Sequence, residues 1–215
     1  MKLPLLVAIA SFIPALLGLH AVTPAAVEAG MCIAYNGVTL FTDGNVSCVA
    51  NPGGNLALVI GENSVAHATS GTNNTAIAIG DNSGAYAGST GDGNFAFVRG
   101  NFSTASAQAG NRNVAAVIGD YSDAQAGYGG DHNRTLIRGD GNRANASGGS
   151  GNTSVIIGDD SDANSQDGDR NNAWVFADTS AAVAGFGGDN NTAWARDDGC
   201  LASAVGASNQ LVQCP

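Results

Sequence analysis

From about residue 55 onward, short apolar runs alternate with clusters of glycine, asparagine, aspartate and serine at a fixed interval. Asparagine marks the phase, at Asn55, Asn74, Asn94, Asn113, Asn133, Asn152, Asn171 and Asn191, with spacings of 19 or 20 residues. A period of this size signals a stacked repeat, in which one coil cannot bury its own apolar face and neighbours complete it. Counting the asparagine as position 0, positions 1 to 5 are apolar and position 6 is glycine in the first six coils, from Gly61 to Gly158. Position 11 is alanine in every coil, from Ala66 to Ala202, and position 13 is alanine in all but one, where Ser165 stands. Glycine after an apolar run is a turn signal, and a run of five residues is strand-length. Each coil is therefore expected to hold an apolar strand at positions 1 to 5, a tight Gly-Asp-x-Ser turn, an Ala-x-Ala strand at positions 10 to 13 and a glycine-rich second turn. The predicted fold is all-β: a parallel β-solenoid or β-roll of about eight coils over residues 55–205, with two short strands per coil.

Side chains alternate across a strand, which assigns faces. In the second strand the alanines at positions 11 and 13 face inward, while position 10 and 12 residues such as His67, Tyr86, Asp123, Gln125 and Arg143 face solvent. The first strand is apolar at both parities. Position 4 carries the small aliphatics, Val59 to Ala195, that suit a thin core opposite alanine. Positions 3 and 5 then point outward, and Ile77, Ile79, Phe97, Ile118, Ile157, Trp174, Phe176 and Trp194 form an apolar stripe along the solenoid. A continuous exposed stripe marks an interface, so a homo-oligomer, favoured as a trimer, is expected through these residues. The alternative is a wider coil that encloses both parities.

The flanks change the picture. Residues 1–29 begin Met1-Lys2, run apolar from Leu3 to Leu19 and end Val27-Glu28-Ala29, the pattern of a signal peptide cleaved after Ala29. Four cysteines fall in two close pairs, Cys32 with Cys48 and Cys200 with Cys214, in a chain bound for an oxidising compartment. Two local disulfides that cap the repeat are the simplest pairing, although four cysteines allow three. Residues 30–54 then form an N-terminal cap with a hairpin turning at Asn36-Gly37, the favoured two-residue turn, and residues 206–215 a C-terminal cap tail. The formal net charge of −10 argues against a nucleic-acid partner. No segment after the leader is long and apolar enough to span a bilayer as a helix. A secreted or cell-surface location is expected.

The phrase Ala78-Ile79-Gly80-Asp81-Asn82-Ser83-Gly84-Ala85-Tyr86-Ala87 resembles the head repeats of YadA-type trimeric autotransporter adhesins, and the likeness extends over residues 55–205, without stalk or membrane anchor. The resemblance implies a left-handed parallel β-roll, inner faces that meet in a trimer, and attachment to extracellular matrix, cell surfaces or glycans.

Little in the sequence points to catalysis. The only histidines after the leader, His67 and His132, lie in different columns, and no nucleophile elbow or zinc spacing occurs. Carboxylate pairs such as Asp159 and Asp160 are accounted for by the repetition, so a polysaccharide-acting enzyme is the least favoured reading. Position 7 is acidic in seven coils of eight, and Asp81, Asp120, Asp140 and Asp159 are weak Ca²⁺ candidates. The competing reading is that they accept hydrogen bonds from turn N–H groups. No cofactor or resident metal is expected. Two function classes result: an adhesin-like structural module acting by self-association and surface binding, or a ligand-binding solenoid for carbohydrate or ice. Positions 10 and 12 are too mixed for a regular ice-binding array.

Overall fold

The computed structural model describes residues 29–214. The expected signal peptide, residues 1–29, lies almost wholly outside the described residues. After an N-terminal segment of three strands, β1 (Gly30–Tyr35), β2 (Val38–Asp43) and β3 (Ser47–Ala50), eight coils follow. They run from β4 (Leu56–Gly61) and β5 (Val65–Ala68) to β18 (Thr192–Ala195) and β19 (Leu201–Val205), and β20 (Leu211–Cys214) ends the array. The first strand of each coil joins sheet one, the second joins sheet two, and all coil-to-coil pairing is parallel. Register is strict: Ala85 pairs with Ala105 on the neighbouring rung, and Val117 with Val98 and Ile137. The parallel β-solenoid expected from the repeat is the fold.

Inside, positions 2 and 4 of sheet one face positions 11 and 13 of sheet two. Position 4 (Val59, Val98, Val117, Ile137, Ile156, Val175) and the alanines at positions 11 and 13 are essentially without solvent exposure. Alanine on one wall lets the two sheets approach closely, so the core is a single file of small side chains and the coil does not enclose both parities. Such a core buries little apolar area per coil, and polar ladders run through the stack beside it. Each position-0 asparagine is fully buried; its Oδ1 accepts the N–H of the next asparagine, as Asn113 Oδ1 does from Asn133 at 2.9 Å. In the first seven coils its Nδ2 donates to the carbonyl closing the coil, Asn113 to Gly130 at 2.9 Å, whereas Asn191 Nδ2 in the eighth has no partner among the described residues. Position-9 serines repeat the scheme: Ser103 Oγ accepts the N–H of Ser122 at 3.1 Å and donates to Gly119 O at 2.9 Å. Pairing of this kind offsets the cost of burying polar groups.

Position 6 must be glycine where coils stack most tightly. Gly119 has φ 151°, and a Cβ there would collide with the carbonyl of Gly139. The column fails at Ala177 and Asp197 near the end of the repeat.

The ends extend the repeat geometry beyond residues 55–205. β3 pairs parallel with β5 and places Cys48 and Ala50 in the position-11 and position-13 slots. β1 pairs antiparallel with β4, so Cys32 and Ala34 stand over Val59 and Ala57. Residues 206–215, expected as a tail, instead contain β20, in register with β18, with Gln210 in the asparagine slot. Both local disulfides form: Cys32–Cys48 ties the two sheets at one end, and Cys200–Cys214 at the other, with Cα separations of 5.7 and 6.1 Å. The hairpin turns at Asn36 and Gly37, both at positive φ. β2, exposed along its whole length, and β20 form the two edges of sheet one.

Candidate interaction surface

Even positions of the first strand turn inward, so positions 1, 3 and 5 make the outer face of sheet one. The candidate interface residues all lie there. Ile77 is already covered by its ladder neighbours, whereas Ile118 and Ile157 are 42% and 43% exposed and Phe176 39%. Phe97, Trp174 and Trp194 are half-buried on the same face, as is Ile79. On the outer positions of coils one to eight there is no carboxylate, in a chain of net charge −10. The charges present are cationic: Arg134 at position 1, and Arg99, Arg138 and Arg196 at position 5.

An aromatic cluster marks the C-terminal third of this face. Trp174 stacks on Trp194 at 5.9 Å and on Phe176 at 5.9 Å, and the Arg196 guanidinium lies 4.6 Å from the centre of the Trp194 ring. These rings turn their faces to one another and to the cation, which leaves edges outward. A pyranose platform needs free π-faces, so the cluster favours ladder packing over sugar stacking. A second pair, Phe102 and Tyr121, stacks at 5.2 Å on the first-turn corner, with 54% and 67% exposure. Both hold φ 54°, a left-handed conformation that other coils fill with asparagine, glycine, aspartate or, once, threonine.

The acidic column at position 7 is a hydrogen-bond ladder. The Oδ1 atoms of Asp81, Asp120, Asp140 and Asp159 accept backbone N–H groups of the preceding coil: from Glu62 at 2.8 Å, Asn101 at 2.6 Å, Asp120 at 2.7 Å and Asp140 at 2.8 Å. Each carboxylate thus has one oxygen committed to the backbone. Among the described residues no cluster of three or more metal-ligating side chains occurs. A second ladder of this kind runs along the other turn, where Asp92 accepts from Thr72 at 2.7 Å and Asp131 from Asn111 at 2.7 Å. Sequence reasoning missed it because the extra residue of 20-residue coils falls in this turn and breaks the forward count. Counted back from the next asparagine, these residues align at two before it.

The outer face of sheet two is different. Asp123, Arg143 and Asp162 occupy position 10 on successive rungs. Burial holds both carboxyls above the usual carboxylate range, and Arg143 between them pulls the other way. His67 meets Tyr86 edge-on at 5.7 Å, and burial lowers its imidazole below the ordinary value. His132, on the opposite corner, lies 3.5 Å from Arg112. No helix among the described residues is long and apolar enough to cross a membrane. No family model matches this chain, and no curated protein matches it.

Proposed function

We propose that this protein is a secreted or cell-surface structural module, adhesin-like and without catalysis, that acts by self-association and surface binding through its repeated faces. The observation that carries this reading is the outer face of sheet one: apolar at position 3 in every coil, free of carboxylates on its strand positions, and built on a core that does not require it. The two disulfides, the signal-like leader and the resemblance to adhesin head repeats support export and a structural role. The test is a double substitution, Ile79→Asp with Ile118→Asp, read by sedimentation over a range of concentrations alongside circular dichroism. The expected result is a wild-type oligomer that becomes a folded monomer. A wild type that is monomeric throughout removes the reading.

A further inference from the structure

We infer that self-association joins two copies face to face and antiparallel, with the two-fold axis along the strand direction between coils four and five. This rests on the reading of sheet one as an interface and deepens it by fixing the partner and its orientation. An in-register assembly, whether a parallel pair or three copies around an axis along the solenoid, sets each coil beside the same coil of its neighbour. The position-5 edge of one copy then meets the position-1 edge of the next. In coil five this opposes Arg138 to Arg134, with no carboxylate on either strand face. Like charges at an interface core cost binding energy and select against that register.

Reversal removes the conflict. Coil one then meets coil eight, two meets seven, three meets six and four meets five, and the two position-5 edges run together. Arg99 falls opposite Ile157, Arg138 opposite Ile118 and Arg196 opposite Ile60, while Ile79 pairs with Phe176. Each arginine can lay its stem on an aliphatic side chain and carry its head to the second copy's first-turn ladder. There Asp159, Asp120 and Glu62 stand in the rungs that Arg99, Arg138 and Arg196 would reach. Asn101, the one neutral residue of that column, belongs to coil three, and its counterpart coil six presents Ile157 rather than an arginine. At position 1, Arg134 meets Val114; at position 3, Trp194 meets Leu58 and Trp174 meets Ile77. The remaining turn acids stay at the solvated rim, where charges farther apart than about 8 Å are screened at physiological salt. With β1 over β20, ten strands of five residues offer about 800 Å² per copy, which is what a stable interface takes from each partner.

The test uses the mature, disulfide-bonded chain. Nitroxide labels are placed on exposed first-turn corners, at Asn63→Cys in coil one and Tyr121→Cys in coil four, and interlabel distances are measured after sedimentation has given the stoichiometry. The reversed dimer separates the coil-one labels by roughly 34 Å along the axis and the coil-four labels by only about 5 Å, so the coil-one distance must be much the longer. Equal distances at the two sites overturn the orientation and leave self-association standing; a monomer overturns both. Arg138→Glu gives an independent readout of opposite sign. It weakens the reversed dimer at least ten-fold, with recovery when Asp120→Arg is added to the same chain. In an in-register assembly it strengthens association by relieving the clash with Arg134, and that result overturns the inference.

Discussion

The two outer faces of the solenoid share one core and differ in nearly everything else. Sheet two covers its alanines with a mixed polar surface that includes Tyr86, Ser106, Gln125, Arg143 and Asn145. Sheet one covers its valines and isoleucines with a second apolar layer. Because sheet two forms the same strict parallel ladder without such a layer, the apolar exterior of sheet one is not a requirement of the fold. Cores are decided by positions 2, 4, 11 and 13; the outside of sheet one is free to serve binding.

The sharpest way to break this comparison is to place a charge on each side of sheet one. Val117→Asp puts a carboxylate into a fully buried, dry column and is expected to cost about 4–5 kcal/mol or to unfold the chain, as followed by urea denaturation. Ile79→Asp, on the outer face of the same sheet, should shift that denaturation curve far less while reducing self-association by ten-fold or more. A comparable charge on sheet two, Gln125→Asp, should alter neither, and an equal loss of association there would erase the distinction between the faces.

The next effect concerns the ladders. Asn133→Ala removes the acceptor of the Asn152 N–H and the donor to Gly149 O, at 2.9 and 2.7 Å. The expected loss is about 2–3 kcal/mol, since buried partners are left unpaired. Asp131→Ala, whose carboxylate serves the exposed turn, should cost about 1 kcal/mol or less. Equal losses at the two sites would show that burial of the asparagine ladder adds nothing.

The smallest expected effect is electrostatic and belongs to sheet two. The folded chain holds the Asp123 and Asp162 protons more tightly than the unfolded chain does. Stability from these groups is therefore present at low pH and is lost as pH rises through the interval just above the usual aspartate pKa of about 4. Replacing both by asparagine should flatten thermal stability in the interval just above about pH 4. His67 works in the opposite sense: its lowered value means the unfolded chain takes up the proton first, so stability rises with pH through the interval just below about 6.5 and is complete above it.

Much of this architecture was legible because repetition supplies its own internal comparison. The alanine columns fixed the inward face of sheet two, and the small aliphatics at position 4 fixed that of sheet one. Both cysteine pairings followed from their closeness at the two ends of the repeat. What escaped was the work done by polar residues. Asn113 and Ser103 were read as phase marker and turn residue, because polar side chains next to glycine ordinarily mean solvated turns. Their near-constancy down the stack was the available signal, since a solvated turn tolerates variation and an internal ladder does not. The strand β20 was missed because Gln210 replaces the asparagine and Leu211-Val212-Gln213-Cys214 carries no second coil half to establish the period. The face proposed as an interface is visible in the alternation, whereas the orientation inferred for it depends on which rungs carry Arg99, Arg138 and Arg196 on one edge.

The buried ladders also have a direction. Every asparagine and serine oxygen of one coil accepts an N–H that belongs to the coil after it, as Asn94 Oδ1 does from Asn113 at 2.9 Å. A chain that appears N-terminus first thus lays down each acceptor before the donor that will use it, and the disulfide-tied first rungs stand ready before any coil has been added. Such a chain can set its coils one at a time, like courses of brick on a finished footing. Chains cut after coil six should accordingly remain folded by circular dichroism, whereas chains lacking residues 30–54 should refold more slowly than the intact protein.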